Sequence, residues 1–180
     1  MKNYEFILAL DPSGSFKEGK GTTGWCIMES LADKIVKTGN ISAKKYNQQE
    51  SYWQAHVTLL KENQKKYKTR LIIVIEDYLL YGDKAQNQIN SRMETSKLIG
   101  LLQYQCFVQK LPYIMQTAGQ VKSRWADKIL HHKGYLKYYK KKLVLPSTEE
   151  YIDNHCKDAI RHAVHFNTFK NNKEAALCKP

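Results

Sequence analysis

The chain has 180 residues, enough for one domain that buries roughly 70% of the surface its unfolded form exposes. Hydrophobic residues make up 42% of it and run along the whole length, which argues against a disordered polar chain, while apolar runs such as residues 71–75 are far too short to span a bilayer. Lysine and arginine number 29 against 17 acidic residues, and the resulting net charge of +12 favours polyanionic partners held by salt-sensitive phosphate contacts.

The apolar run at residues 6–10 predicts a strand that stops near Asp11, because Pro12 has no ladder donor and Gly14 favours a turn. Residues 22–28 and 34–41 predict two further strands, and three in succession imply an antiparallel meander. Tyr52, Ala55, His56, Leu59 and Leu60 recur at helical spacing within residues 50–66. Residues 71–75, rich in Ile and Val, have the continuous apolar character of a strand covered on both faces. A helix over residues 90–110, a short strand at 113–116, a broken helix over 119–132 and a long helix over 148–169 complete the order. Between the last two lies Tyr-Leu-Lys-Tyr-Tyr-Lys-Lys-Lys (135–142), a mixture that suits phosphate contacts beside stacked bases and suits an exposed helix face equally. The pattern predicts an α/β fold, a mixed five-stranded central sheet flanked by helices, as a single domain over residues 1–170 with a disordered basic tail over 171–180.

The N-terminus has no charged start followed by a long apolar stretch and a small-residue cleavage site. Cys26, Cys106, Cys156 and Cys178 never form a C-x-x-C, so reduced thiols in the cytoplasm and no membrane partner are expected.

Asp11 and Glu76 each end an apolar strand. A carboxylate there needs a positive neighbour, and two of them from adjacent strands make a start for a divalent-metal site. Taken singly, Asp11 also suits a turn before proline and Glu76 a strand-end salt bridge. Asp77 points away from Glu76 by strand alternation, which fits a supporting or surface role. On the last helix His155 and Asp158 lie roughly 60° apart, near enough to share a metal, while Asp153 is about 140° from Asp158 and serves only if the helix begins irregularly. His162 and His165 read as packing residues, and the histidine spacing is a poor match to zinc.

Leu-Ala-Leu-Asp-Pro-Ser-Gly (8–14), Thr-Gly-Trp-Cys-Ile (23–27), Val-Ile-Glu-Asp-Tyr (74–78), Gln120-Val121-Lys122 with Ala126-Asp127-Lys128, and His155-x-x-Asp158-Ala159 stand in this order along the chain. The ordered set resembles the RuvC-type Holliday junction resolvases of the RNase H-like superfamily, over residues 6–168. The Lys-, Asn-, Tyr- and Ile-rich composition is similar to the phage-encoded branch, whose proteins act in the host cytoplasm. The chain departs from the family in a longer connection at residues 13–22. It also has Tyr78-Leu79-Leu80-Tyr81 where the family often has a junction-opening phenylalanine, and His155 at a position where members carry Asp or His.

The resemblance implies an RNase H-like fold and a structure-selective endonuclease that resolves four-way junctions and other branched DNA as a homodimer. It implies two Mg2+ ions, for which Mn2+ substitutes, held by Asp11, Glu76, His155 and Asp158, with Asp11 bridging. Lys122, Arg124 and Lys128 would meet phosphates, and Tyr78, Leu79 and Tyr81 would intrude at the junction centre. Met93, Leu98, Leu101 and Leu102 are apolar positions that suit a dimer contact and, for some of them equally, burial against their own sheet. Two other readings fit the same residues: a related nuclease acting on RNA, RNA–DNA hybrids or flaps, and a branched-DNA-binding protein without catalysis.

Overall fold

A computed structural model of the chain describes residues 4–78, 93–140 and 142–171. Five strands form one mixed sheet: β1 (Phe6–Asp11), β2 (Thr22–Glu29), β3 (Lys34–Ser42), β4 (Leu71–Asp77) and β5 (Tyr113–Thr117), in the order β3-β2-β1-β4-β5. β1–β2 and β2–β3 are antiparallel, as the meander predicts, while β1–β4 and β4–β5 are parallel. The parallel pairs require crossovers, and the helices supply them. These are α1 (Gln49–Tyr67) and α2 (Glu94–Val108), followed on the chain by α3 (Ala118–Arg124), α4 (Asp127–His132) and α5 (Asn154–Phe169).

β1 and β4 are central and apolar on both faces, so the sheet separates two cores. Leu8, Leu10, Ile73 and Ile75 pack with Tyr52 and Leu60 of α1 and with Leu98 and Leu102 of α2. Ile7, Ala9, Ile72 and Val74 pack with Val121, Leu130 and the apolar stripe Ala159, Ile160, Ala163 and Val164 of α5. Leu98 and Leu102 are fully buried in their own domain and are therefore unavailable for a dimer contact. The outward positions of α2 are Tyr104, Phe107 and Val108.

Two predicted elements differ from what forms. The terminal helix begins at Asn154, six residues later than 148, because Asp153 is its cap: the carboxylate accepts the Cys156 N–H at 2.7 Å and the Asn40 side-chain N–H at 2.6 Å. Residues 135–140 and 142 are no helix face. Lys137–Tyr139 (β6) and Lys142–Val144 (β7) pair as an antiparallel hairpin, and Tyr151 bridges to Val144 beside it. The expected tail lies outside the described residues from 172 onward, as does the start of the helix expected at residue 90. Cys26, Cys106 and Cys156 are buried free thiols, and among the described residues no helix is long and apolar enough to cross a membrane.

Candidate active site

Strand register places the first two acidic side chains together. In the parallel ladder Leu10 is level with Ile75, so one further step brings Asp11 beside Glu76. Alternation then decides their direction. Ile7, Ala9, Ile72 and Val74 face α5, and Asp11 and Glu76 share that parity. Asp77 has the opposite parity and turns away, as the alternation predicts.

α5 can approach this point because of Gly24, which is level with Asp11 on β2. A Cβ on Gly24 would run into the backbone carbonyl of His155, so only glycine lets the first turn of α5 lie on the sheet there. From that turn His155 Nδ1 reaches Asp11 Oδ2 at 2.9 Å. Two turns on, His162 is completely buried, its Nε2 2.9 Å from Glu76 Oε2 and its Nδ1 2.9 Å from Gln116 Oε1. Glu76 is an acceptor, so the Nε2 proton belongs to His162. Gln116 is level with Glu76 on β5, which brings the amide into reach.

Lys122 of α3 joins the remaining carboxylates. Its Nζ lies 3.0 Å from Glu76 Oε1 and 3.0 Å from Asp158 Oδ2. Arg161 pairs with Asp158 through Nη1, and through Nη2 with Asp127 at 2.5 Å, while Lys157 reaches Asp127 at 2.9 Å. Asp11, Glu76 and Asp158 are thus brought to one place, each held by a cationic or histidine partner. Among the described residues no three His, Cys, Asp or Glu side chains converge as ready-made metal ligands.

The protonation behaviour follows from this packing. Burial pushes Asp11 up to about 6, the facing Glu76 charge adds to the rise, and the His155 hydrogen bond opposes it without prevailing. Burial also acts to raise Glu76, but the hydrogen bond and charge of His162 and the Lys122 ammonium outweigh it and bring the carboxyl down to about 2. The hydrogen bond to Asp11 raises His155. Burial works against the Lys122 ammonium, yet Glu76 and Asp158 hold its pKa above the ordinary lysine value.

Behind Asp11 a second polar group fixes the chain that follows it. His56 Nδ1 lies 2.8 Å from the Tyr52 carbonyl, which can only accept, so the ring proton sits on Nδ1. His56 Nε2, 2.8 Å from Thr23 Oγ1, must then accept the threonine hydroxyl. Thr23 Oγ1 in turn accepts the Ser13 N–H at 3.1 Å, and the Tyr52 hydroxyl donates to the Ser13 carbonyl at 2.5 Å. The circuit closes on itself and holds both backbone groups of Ser13, two residues past Asp11. Next along, Gly14 donates to Thr95 Oγ1 at 3.0 Å, and its missing Cβ makes room for the Glu94 backbone at the start of α2.

The other expected site residues fall on the surface around the cluster. Arg124 is exposed with its guanidinium 4.7 Å above the Phe169 ring, Lys128 is exposed, and Tyr78 is 37% exposed at the end of β4. Leu79 and Tyr81 lie outside the described residues. Asp153 is occupied as the helix cap, and His165 accepts the Trp125 indole N–H at 3.2 Å, a packing role of the kind expected for it. Sequence reasoning gave no place in the cluster to Gln116 or Arg161. It put His162 on the right helix face but read it as packing, and the i+7 spacing from His155 was the signal available.

No known family's sequence profile matches the chain, and no curated protein matches it by sequence. Solved structures do match. RuvC from T. thermophilus, in complex with a Holliday junction substrate, superposes with a TM-score of 0.66 at 12% identity, covering 94% of this chain and 97% of that one. A second structure, of Thermus thermophilus RuvC, gives a TM-score of 0.63 at 11% identity over 92% of this chain and 96% of that one. The strand order, the helices on both faces and coverage of nearly the whole length agree: this chain has the fold of the RuvC-type resolvases, an α/β fold of the RNase H-like kind.

Proposed function

We propose that the protein is a metal-dependent endonuclease that cuts branched DNA, four-way junctions above all. The observation that carries this reading is the meeting of Asp11, Glu76 and Asp158 at the mouth of the sheet, under a +12 chain with a resolvase fold. In the chain itself Lys122 and Arg161 offset the charge of Glu76 and Asp158, and a divalent cation would take over that role.

The donor set fits magnesium: three carboxylates are hard oxygen ligands, and the Lys122 ammonium, equidistant from Glu76 and Asp158, marks where positive charge is already held. Asp11, Glu76 and Asp158 would hold two ions, with manganese as a substitute. When bound, the ions stabilise the attacking and leaving oxygens of an in-line phosphodiester displacement.

The chain's own residues do the rest. His162 keeps the Glu76 carboxyl ionised and aimed, and Gln116 fixes the far side of the His162 ring. With Nδ1–H given to Asp11, the Nε2 of His155 is the ring nitrogen that takes a proton from the attacking water. Lys122 sits where it can turn from the carboxylates to the scissile phosphate. Arg124 and Lys128 lie exposed for neighbouring phosphates, and Tyr78 for the branch point.

A four-way junction needs two symmetric cuts, which a two-fold dimer supplies. The dimer face is the outer side of α2, where Tyr104, Phe107 and Val108 are 61%, 77% and 53% exposed and fall within about 100° of arc. Phe107→Asp should convert a sedimenting dimer to monomer; a wild-type monomer at assay concentration would remove the dimer from the account.

The substrate test compares cleavage of a four-way junction, a flap and an RNA–DNA hybrid in Mg2+. Preference for the junction is expected, and cutting of the hybrid alone would overturn the resolvase reading.

A further inference from the structure

The chain between α3 and α5 leaves the carboxylate cluster and returns to it. Asp127, at the start of α4, is tied to Lys157 and Arg161 of α5, and Asp153 caps α5 two residues before His155. Between these anchors stands the β6–β7 hairpin. Its inner side is fixed, with Tyr135, Leu136, Leu143, Leu145 and Ile152 buried in the core beneath α5. Its outer side is not what packing alone would select. Tyr139 and Tyr151 are 47% and 63% exposed.

The lysines are arranged around these rings. Lys140 Nζ lies 5.3 Å from the Tyr139 ring centroid and Lys142 Nζ 5.4 Å from that of Tyr151. Tyr139 pairs with Lys142 across the hairpin, and Tyr151 with Val144, two residues on from Lys142. Tyr139, Lys142 and Tyr151 therefore share one face. Lys140 forms the tip with φ at +46°, a conformation in which a hairpin ordinarily uses Asn or Gly. A charge is kept where the backbone prefers another residue. Residues 131–151 hold five lysines against two glutamates, and of the glutamates Glu149 is paired with Lys137 at 2.6 Å.

We propose that this hairpin is a second DNA contact, a tyrosine–lysine platform that holds an unpaired strand. Lys140 and Lys142 swing from the rings to successive phosphates, and the Tyr139 and Tyr151 faces they leave receive bases. Unpaired DNA is the occupant because only an unpaired base has a face to offer; bases inside a duplex are already stacked. That the strand held here is one being steered to the nuclease rests on the function proposed above. The binding itself does not.

The test therefore excludes cleavage. Anisotropy of a short labelled single strand and of a blunt duplex is read in EDTA, with the full chain as wild type, as Tyr139→Leu/Tyr151→Leu and as Lys140→Gln/Lys142→Gln. All four positions face solvent, and melting curves check that the variants stay folded. The tyrosine pair should weaken single-strand binding about tenfold or more, with little effect on the duplex. The lysine pair should reduce the slope of log affinity against log salt by about 1.4, at roughly 0.7 per phosphate contact on a single strand. Unchanged single-strand affinity and slope in both variants would overturn the proposal, as would equal losses on single strand and duplex, or binding confined to single-stranded RNA. If the wild type never cuts DNA yet shows the hairpin dependence, the nuclease reading falls and this one stands.

Discussion

His56 provides the sharpest stability prediction. It is fully buried, its Nδ1–H is given to the Tyr52 carbonyl, and in the neutral ring its Nε2 accepts from Thr23. Burial moves its pKa down from 6.5 to about 4. The group is neutral in the folded chain where the unfolded chain already binds a proton. Its contribution is fully present above pH 6.5, is lost as pH falls from 6.5 towards 4, and is complete in its loss below 4. At 1.36 kcal/mol per unit, the full loss is about 3 kcal/mol, of which about 2 kcal/mol has appeared by pH 5. The assay is urea unfolding at pH 7.5 and pH 5 at constant ionic strength, for the wild type and His56→Leu. The variant should be less stable at pH 7.5, because Thr23 and the Tyr52 carbonyl lose their partner, but its further drop to pH 5 should be smaller by about 2 kcal/mol. An equal drop in both proteins would refute the assignment of a neutral, doubly bonded His56.

Two substitutions inside the cluster separate its parts. Lys122→Met removes the ammonium between Glu76 and Asp158 and should cost about 1–2 kcal/mol in EDTA, the low end being chosen because Lys122 keeps 35% of its side chain exposed. Added Mg2+ should then raise the Tm of the variant more than that of the wild type; equal shifts would mean that no metal enters there. His162→Leu removes the donor that holds Glu76 near 2, so burial prevails and the carboxyl titrates higher. Junction cleavage in Mg2+ should fall while junction binding in EDTA stays constant, and full activity would count against a positioning role.

The sequence carried the frame of this site more clearly than its wiring. Asp11 and Glu76 were legible because an apolar run that ends in an acid is conspicuous, and because strand parity is an arithmetic matter once the strands are known. The hairpin was not legible: its strands have three residues each, and its turn residue Lys140 gives none of the Asn-Gly signal that marks such turns. The late start of α5 was hidden by Thr148, Glu149 and Glu150, whose pattern resembles a helix opening, whereas the functioning cap is Asp153. Partners distant in sequence account for the remainder. His162 meets Glu76 across 86 positions and Lys122 meets it across 46, and no local pattern records such pairings. The circuit through His56 was concealed for the same reason, since its ring sits at an ordinary core position of an amphipathic helix.

Nicking of a labelled four-way junction in Mg2+ by the wild type and by Asp11→Asn, with binding measured alongside, tests the account most directly. The account predicts that the wild type cuts, and that the variant binds with similar affinity and does not cut. Cutting by the variant at the wild-type rate would contradict it.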